Sequence, residues 1–464
     1  MDYDVLVIGS GPGGYVAAIR AAQYGLKTAV IEKDPKLVGT CLHVGCIPTK
    51  AYLHYADLYE AMSHSDDFGI SHGPLKLDMV KMRASKQDIV DKHSGGIGML
   101  FKKNKIASIA GYGRLLGAGK VEVDGPEGKK TLQAKAIILA SGSSARMLPG
   151  LEPDPKRILS NVEILELDKL PKSLAVIGAG AVGMEFASVF NSFGTEVTVF
   201  EMLPRALPLE DEDVSKEILK AFKKKGVAVH VDTTVENIKK GPRGVTMNYT
   251  GPDDKTHAHK AEKLLVAVGR APNTENVGLE NTKIKADRGF IKTNEWMQTD
   301  EPGVYAIGDI VLGTPQLAHT ASTEGVVAAA HIAGKPVEPI DYNLNPNATY
   351  CEPQVASVGL TELKAKEDGH EVKVGKFSFA GNSKASILGA HGGFVKVVTD
   401  AKYGQILGVH MIGPLVTELI AEAVVAMKSE ATVESMMDTI HAHPTLPEAI
   451  QDAFNSVYGL QING

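Results

Sequence analysis

Residues 5–32 and 174–201 are two copies of one pattern, 178 − 9 = 169 positions apart, and no other feature of the sequence constrains the fold as much. In the first copy the apolar run Val5-Leu6-Val7-Ile8 predicts a buried parallel strand. Gly9, Gly11 and Gly14 follow with Gly-x-Gly-x-x-Gly spacing. An alanine-rich helical stretch then stops at Gly25, and a second strand, Thr28 to Ile31, ends in Glu32. The second copy has a strand from Ala175 to Ile177, then Gly178, Gly180 and Gly183. A helical stretch runs to Gly194, and a strand from Glu196 to Phe200 precedes Glu201. First glycine to acid is 32 − 9 = 23 residues in one copy and 201 − 178 = 23 in the other. A bound dinucleotide needs each part. The first glycine allows a tight turn, the second lets a pyrophosphate approach the backbone, and the third lets helix pack on strand. The helix N-terminus stabilises phosphate charge, and the acid accepts from ribose hydroxyls. One such spacing is a weak signal, whereas two complete units at one offset are a strong one.

At 464 residues the chain is long enough for three or four domains. The net charge of −6 gives no global basic field for nucleic acid, and no apolar run approaches the ~18 residues of a membrane span. The start, Met1-Asp2-Tyr3-Asp4, lacks the positive region of a signal peptide, and three cysteines do not suggest a secreted disulfide framework. A cytoplasmic, reducing compartment is the expectation. Two nucleotide units in one chain suggest two cofactors that exchange electrons. Glu201 would repel a 2′-phosphate, so NAD is expected over NADP, with Arg205 four residues on as the cation to weigh against it.

Cys41 and Cys46 fall soon after the first unit, in Gly39-Thr40-Cys41-Leu42-His43-Val44-Gly45-Cys46. Three readings compete: a zinc site with His43, which lacks a fourth ligand; two inert buried thiols; and a reversible disulfide. In a regular helix, positions i and i+5 have Cα atoms about 8.7 Å apart. A disulfide needs roughly 4.4–6.8 Å. A bridge therefore requires a distorted turn, and Gly45 is where distortion costs least. Cys351 has no comparable partner and reads as a buried, inert thiol.

These motifs together resemble the flavin-dependent pyridine nucleotide–disulfide oxidoreductases over essentially the whole chain, and within them the branch that oxidises dihydrolipoyl groups. The resemblance implies FAD on the first unit and NAD on the second, with Gly9, Gly11, Gly14, Glu32 and Thr40 on the FAD and Gly178, Gly180, Gly183 and Glu201 on the NAD. It implies that Cys41 faces the substrate and Cys46 the flavin. Lys50 and Glu185 look like the family's pair beside the flavin ring. Against this, Lys50 is also a plausible solvated helix residue, and Glu185 is favoured near a helix N-terminus in any case. The family motif has asparagine at His43 and glycine at Val38. His43 then has two readings, a solvated polar residue or a cation that favours the Cys41 thiolate.

Further stretches carry the same resemblance. Ile137 to Ala140 and Leu264 to Val268 read as buried strands, followed by Ser141-Gly142 and by Gly269-Arg270-Ala271-Pro272-Asn273; Ser141 and Gly142 are expected at the FAD and Gly269 at the NAD. Asp309 ends a stretch resembling the second FAD fingerprint and would accept from ribityl hydroxyls, though alone it reads as a turn cap. Gln316, Leu317, Ala318 and His319 begin a helix expected to approach the flavin, and the Gly113 backbone is expected at the adenine. From about Tyr342 four strands and an amphipathic helix, Thr417 to Ser429, resemble the family's dimerisation domain. At its end, His443 matches the acid–base histidine and Glu448 the carboxylate that orients it, with Pro447 where serine is common.

The expected fold is α/β: two Rossmann-like dinucleotide-binding domains plus a C-terminal α+β dimerisation domain. The boundaries are 1–147 for FAD, 148–276 for NAD, 277–342 for a central domain completing the FAD site, and 343–464 for dimerisation. The implied partners are a second copy of the chain and a lipoyl-bearing acyltransferase or carrier protein of a 2-oxo acid dehydrogenase or glycine cleavage complex. No lipoyl domain is expected ahead of Met1, and the substrate arm is expected on that partner. No metal, nucleic acid or membrane is implied. The rivals are glutathione and mercuric reductase-like enzymes, a flavin NADH oxidase and a non-catalytic scaffold. Glu201, the lack of cysteines after Cys351, the retention of both Cys41 and Cys46, and the intact thiols together with His443 and both acids argue against the four in turn.

Overall fold

The computed structural model describes residues 1–117 and 119–463, which form two compact units. The first contains residues 1–51, 80–146 and 269–340, and the second residues 52–79, 147–268 and 341–464. The helices named below are α1 (Pro12–Gln23), α2 (Gly39–Val44), α3 (Cys46–Ser63), α4 (Met79–Lys103), α5 (Ala181–Ser192), α6 (Glu212–Lys224), α7 (Ala318–Ile332), α8 (Val416–Lys428) and α9 (Glu448–Ser456).

In the first unit, parallel strands Ala107–Ala110, Thr28–Glu32, Tyr3–Ile8 and Gly128–Leu139 lie side by side in that order, with Val304–Ala306 pairing beyond Gly128–Leu139. Val5, Leu6 and Val7 are fully buried. Burial of this kind contributes about 1.5–3 kcal/mol per large side chain, so the continuous apolar run is what places this strand at the centre. Gly128–Leu139 is twice as long as its apolar part. Its first half is exposed and forms an antiparallel ribbon with Lys120–Gly125 and Tyr112–Leu115. Helix α7 lies on α1 through small residues: a β-carbon on Gly325 would stand 2.6 Å from the Gly13 carbonyl oxygen.

The second unit repeats the parallel sheet in the order Ala228–His230, Glu196–Phe200, Ser173–Ile177, Lys263–Val266, Ile158–Leu159. The duplication extends to the pairing register. Leu6 faces Ala29 and Ala175 faces Thr198, and 6 + 169 = 175 while 29 + 169 = 198. A three-stranded antiparallel sheet, Thr234–Gly241, Gly244–Thr250 and Thr256–Ala261, packs on this one through Phe200, Val245 and Met247. The remaining sheet is antiparallel, in the order Asn347–Thr349, Gln354–Gly359, Ile406–Gly413, Phe394–Asp400, Val372–Ser378. Helices α8 and α9 share a core with it, formed by Val397, Val409, Ile420 and Phe454 among others. Among the described residues no helix is long and apolar enough to cross a membrane.

Candidate active site

Helix α2 ends at Val44 and α3 begins at Cys46, and the break is Gly45, at φ −135° and ψ −117°. A β-carbon on Gly45 would stand 3.0 Å from the Thr40 carbonyl oxygen and 3.2 Å from the Cys41 Cα, so the kink closes tightly on the turn bearing Cys41. The distortion expected at this position is present, and it sets the two thiols in contact. The pair is a dithiol here, and the Cys41 thiol is pushed well above the usual thiol range. The hydrogen bond with Cys46 is the largest cause, followed by burial, while the Lys50 ammonium opposes both. Lys50 lies one turn along α3 from Cys46.

His43 lies in the last turn of α2. Its Nε2–H donates to the Leu37 carbonyl at 2.6 Å, which ties the ring to the preceding loop. Cys46 and Lys50 are the side chains that act most strongly on the Cys41 thiol, and the bond to Leu37 supports the reading of His43 as a polar residue tied to its own loop. Val38, where the family has glycine, stands at φ +92°, a conformation that costs a β-branched residue about 1–3 kcal/mol. Its N–H donates to Ser10 Oγ at 2.8 Å, and Ser10 Oγ donates in turn to Glu32 Oε2 at 2.5 Å. Thr40 lies in the first turn of α2.

The two dinucleotide units hold their acids alike. Glu32 accepts the N–H of Ser10 at 2.8 Å and of Asp34 at 3.0 Å. Glu201 accepts the N–H of Ala179 at 2.7 Å and of Leu203 at 2.9 Å. Both carboxylates are buried and aimed by backbone, with lone pairs left for ribose hydroxyls. Gly9 and Gly178 are at φ +101° and +106°, and a β-carbon on either would strike a carbonyl oxygen at 2.3 Å. A β-carbon on Gly11 or Gly180 would meet no protein atom within 4 Å. The protein does not need glycine at these two positions, and the room they leave lies at a helix N-terminus, as a bound pyrophosphate requires.

In the first unit, Asp309 Oδ2 accepts from Ser143 Oγ and lies 3.7 Å from Arg270 Nε. Arg270 is itself fixed by two bonds of 2.6 Å to Ser143. Gln316 Nε2 donates to the Asp309 carbonyl at 3.1 Å, Leu317 caps α7, and Ala318 and the exposed His319 open it. The buried Oγ1 of Thr314, in the same loop, has no hydrogen-bond partner among the described residues. An orphaned hydroxyl in the same loop as a carboxylate held by Ser143 and Arg270 fits a polyhydroxylated ligand. Ser141 Oγ donates to the Asn273 carbonyl at 2.7 Å, and Gly142, at φ +67°, has open space beside it. A β-carbon on Gly113 would meet Ile8 and Ile31 at 3.1 and 3.3 Å, so core packing alone explains that glycine. Gly269 is the first residue of the first unit's last segment, at φ +104°. Ser10, Ser143, Arg270 and Thr314 drew no attention in the sequence, because a polar residue that positions another leaves no spacing signature.

In the second unit, Glu185 is buried on α5 and its Oε1 accepts the Tyr350 N–H at 2.9 Å. Cys351 is fully buried, and burial followed by the nearby Glu185 and Glu352 carboxylates pushes its thiol well up. Arg205 is engaged with Glu212 at 3.7 Å and the Pro208 carbonyl at 3.3 Å. His443 Nδ1–H donates to Glu448 Oε1 at 2.8 Å, and Glu448 Oε2 accepts the Thr445 N–H at 2.8 Å. Burial raises Glu448, but the Thr445 N–H and His443 outweigh it and hold the carboxyl below its usual range. Pro447 caps α9 at φ −55°, where its missing N–H costs nothing, so it does not disturb Glu448 at the first helical position. The Nε2 of the exposed His443 is left to take or give a proton.

Residues 3–325 match the model of the pyridine nucleotide-disulphide oxidoreductases, and residues 345–454 match that family's dimerisation domain. The chain belongs to this family. It is 46% identical to dihydrolipoyl dehydrogenase of Bacillus subtilis, over 100% of this chain and 99% of that protein. It is 44% identical to the Rhizobium etli and Mycobacterium tuberculosis dihydrolipoyl dehydrogenases, over 99% of each chain. Its fold is similar to LpdA from Mycobacterium tuberculosis, with a TM-score of 0.90 at 27% identity, covering 97% of this chain and 99% of that one. The HOCl-induced flavoprotein disulfide reductase RclA from Escherichia coli gives 0.87 at 25% identity, covering 98% and 99%. Within the family the chain groups with the dihydrolipoyl dehydrogenases, NAD-dependent flavin disulfide oxidoreductases that use FAD and NAD(H).

Proposed function

We propose that the chain oxidises protein-bound dihydrolipoyl groups through the Cys41–Cys46 pair, with NAD+ as the final acceptor. The observation that carries this is the kink at Gly45, which holds two thiols in contact where an unbroken helix would part them. With the pair oxidised, a dihydrolipoyl thiolate attacks Cys41 Sγ and releases the Cys46 thiolate. The second dihydrolipoyl thiolate then closes the lipoyl disulfide and releases Cys41, so two electrons have entered the cysteine pair. The chemistry that a bound FAD would supply is the two-electron link from the cysteine pair to hydride reduction of NAD+. The sum is dihydrolipoyl plus NAD+ giving lipoyl, NADH and one proton.

The residues divide this work. His443, held in one tautomer by Glu448, takes the proton from the incoming thiol and stabilises it as a cation against that carboxylate. Lys50 favours the thiolate form of Cys41. Glu32, Asp309 and Gly11 would hold the FAD, and Gly180 and Glu201 the NAD, as the family resemblance assigns them. The matched dimerisation domain supports a homodimer, and the family resemblance implies that His443 of the partner subunit serves each Cys41. The lipoyl group would come on an acyltransferase or carrier protein of a 2-oxo acid dehydrogenase or glycine cleavage complex. The compartment would be the cytoplasm, where such thiols stay reduced. Steady-state assays with dihydrolipoamide and with oxidised glutathione, each with NAD(H) and NADP(H), test the reading. Turnover with dihydrolipoamide and NAD+ is expected. A larger kcat/KM for glutathione with NADPH would overturn it.

A further inference from the structure

The face of α5 that carries Glu185 holds down a short strap of chain. Glu185 Oε1 accepts the Tyr350 N–H at 2.9 Å, and Ser188 Oγ, one turn on, accepts the Glu352 N–H at 3.0 Å. The strap is thus pinned at both ends, with the fully buried Cys351 between. A turn further along α5, Ser192 Oγ donates to Glu60 Oε1. The strap's own acid, Glu352, is largely buried and lies within electrostatic reach of Asp57 and Glu60 on α3 and of Lys225 at the end of α6. The Lys225 ammonium is already spent on Glu60, at 3.0 and 3.1 Å from its two oxygens. The other ionisable groups in this cluster are His54, which faces Asp57, and Glu185 and the Cys351 thiol on the α5 side. Ionising Glu352 therefore sets a third carboxylate against one ammonium.

We infer that Glu352 is a positioning residue for Glu185: uncharged, it lets the Tyr350–Glu352 strap close on α5, and ionised, it is repelled by Asp57 and Glu60 and loosens the Tyr350 N–H from the Glu185 carboxylate. This rests on the proposed place of Glu185 beside the flavin. Burial sets the range in which the device works, since it pushes the Glu352 carboxyl up to about 7; Lys225 opposes that, and Asp57 and Glu60 add to it. The sign follows. An acid whose folded value is raised favours the folded, closed arrangement at low pH and loses that contribution as pH rises from about 4.5 toward 7.

Hydrogen–deuterium exchange of the holoenzyme over residues 348–352, corrected for intrinsic rates, reads the strap directly. Wild-type protection is expected to fall at least tenfold between pH 6 and pH 8. Glu352→Gln should keep its protection across that range, and Glu352→Asp should restore the pH dependence. Unchanged wild-type protection, or a Glu352→Gln profile that tracks the wild type, would overturn the proposal. The kcat for NAD-linked oxidation of dihydrolipoamide should follow the same pH step in the wild type and not in Glu352→Gln, with KM little altered. Glu185→Gln is expected to lower NAD-linked turnover at least tenfold. Turnover at the wild-type level there would sink the flavin-side reading of Glu185 and leave the exchange result to decide the strap.

Discussion

Gly183 packs so closely on Gly178 that a β-carbon on it would stand 1.9 Å from the Gly178 carbonyl oxygen; the matching distance from Gly14 to Gly9 is 2.0 Å. Neither gap opens without prising helix from strand. Gly180, between them, has no protein atom within 4 Å of where its β-carbon would be. The two substitutions therefore separate packing from ligand space. Gly183→Ala should destabilise the second unit by about 3 kcal/mol. Gly180→Ala, at a helix N-cap, should cost no more than about 1 kcal/mol and raise the KM for NAD+ at least tenfold. Thermal unfolding and steady-state kinetics on the pair decide it. Equal losses of stability would show that room for the pyrophosphate is not what Gly180 supplies.

Lys396 Nζ stands 2.8 Å from Glu362, 2.9 Å from Asp211 and 3.3 Å from Asp213, and it is only 3% exposed. Lys396→Met should cost about 3–5 kcal/mol, because Asp211 is left buried without its cation. Burial alone would raise the Asp211 and Asp213 carboxyls, but Lys396 outweighs it and both lie below their usual range. Glu362 is lowered chiefly by its bonds to Lys366 and Lys396. Depressed carboxyls contribute stability above about pH 4 and lose it as pH falls through their folded values. His410 next to them is depressed by burial, so below about pH 6.5 the unfolded chain takes up a proton that the fold refuses. In Glu352→Gln, which lacks the opposing contribution of the raised Glu352 carboxyl, the unfolding midpoint should fall from pH 7 to pH 5 and fall further below pH 4. The lower limb should shrink in Lys396→Met. A midpoint constant from pH 7 to pH 4 would contradict both parts.

Glu201 receives two backbone N–H bonds, and Arg205 is turned to Glu212 and Pro208. A 2′-phosphate would meet a buried carboxylate while the nearest arginine in sequence is already engaged. The kcat/KM for NAD+ should exceed that for NADP+ by at least a hundredfold, about 2.7 kcal/mol. Comparable values for the two would show that Glu201 does not read the ribose.

The parts of the fold that showed in the sequence are those whose residues have one physical reason to be there. Val5–Ile8 is apolar throughout because both faces of its sheet are covered. Gly9, Gly14, Gly178 and Gly183 are glycine because a β-carbon would strike backbone. The first half of Gly128–Leu139 escaped notice because Lys129 and Lys130 are solvated and break the apolar run. Helix α4 escaped because Gly95, Gly96 and Gly98 speak against a helix, and only the structure shows that they are tolerated in an interior with open space around them. At the site, the Cys41–Cys46 pair and the acids Glu32 and Glu201 were legible from their types and spacing, whereas His443 and Glu448 stood out only through the family resemblance. The supporting residues were not legible: Ser10 under Glu32, Ser143 and Arg270 under Asp309, and Tyr350 on Glu185 act through contacts between distant segments.

The family resemblance implies that the Cys41–Cys46 pair of one subunit is served by the partner subunit's His443. Cys41 and His443 are 443 − 41 = 402 residues apart, and they belong to different compact units. His443 is exposed, with Nδ1 spent on Glu448 and Nε2 left for another partner, as a base serving a second subunit would be. Cys41→Ser and His443→Gln homodimers should each lose dihydrolipoamide turnover by at least a hundredfold. Each should still fold with the wild-type unfolding midpoint, since neither side chain holds core. Dissociated, mixed and reassembled, they should regain up to about half the wild-type activity per heterodimer, because one of its two equivalent sites then carries both intact groups. Heterodimers that form and stay inactive would mean that each His443 serves its own chain. Full activity in a monomer would exclude a trans site altogether.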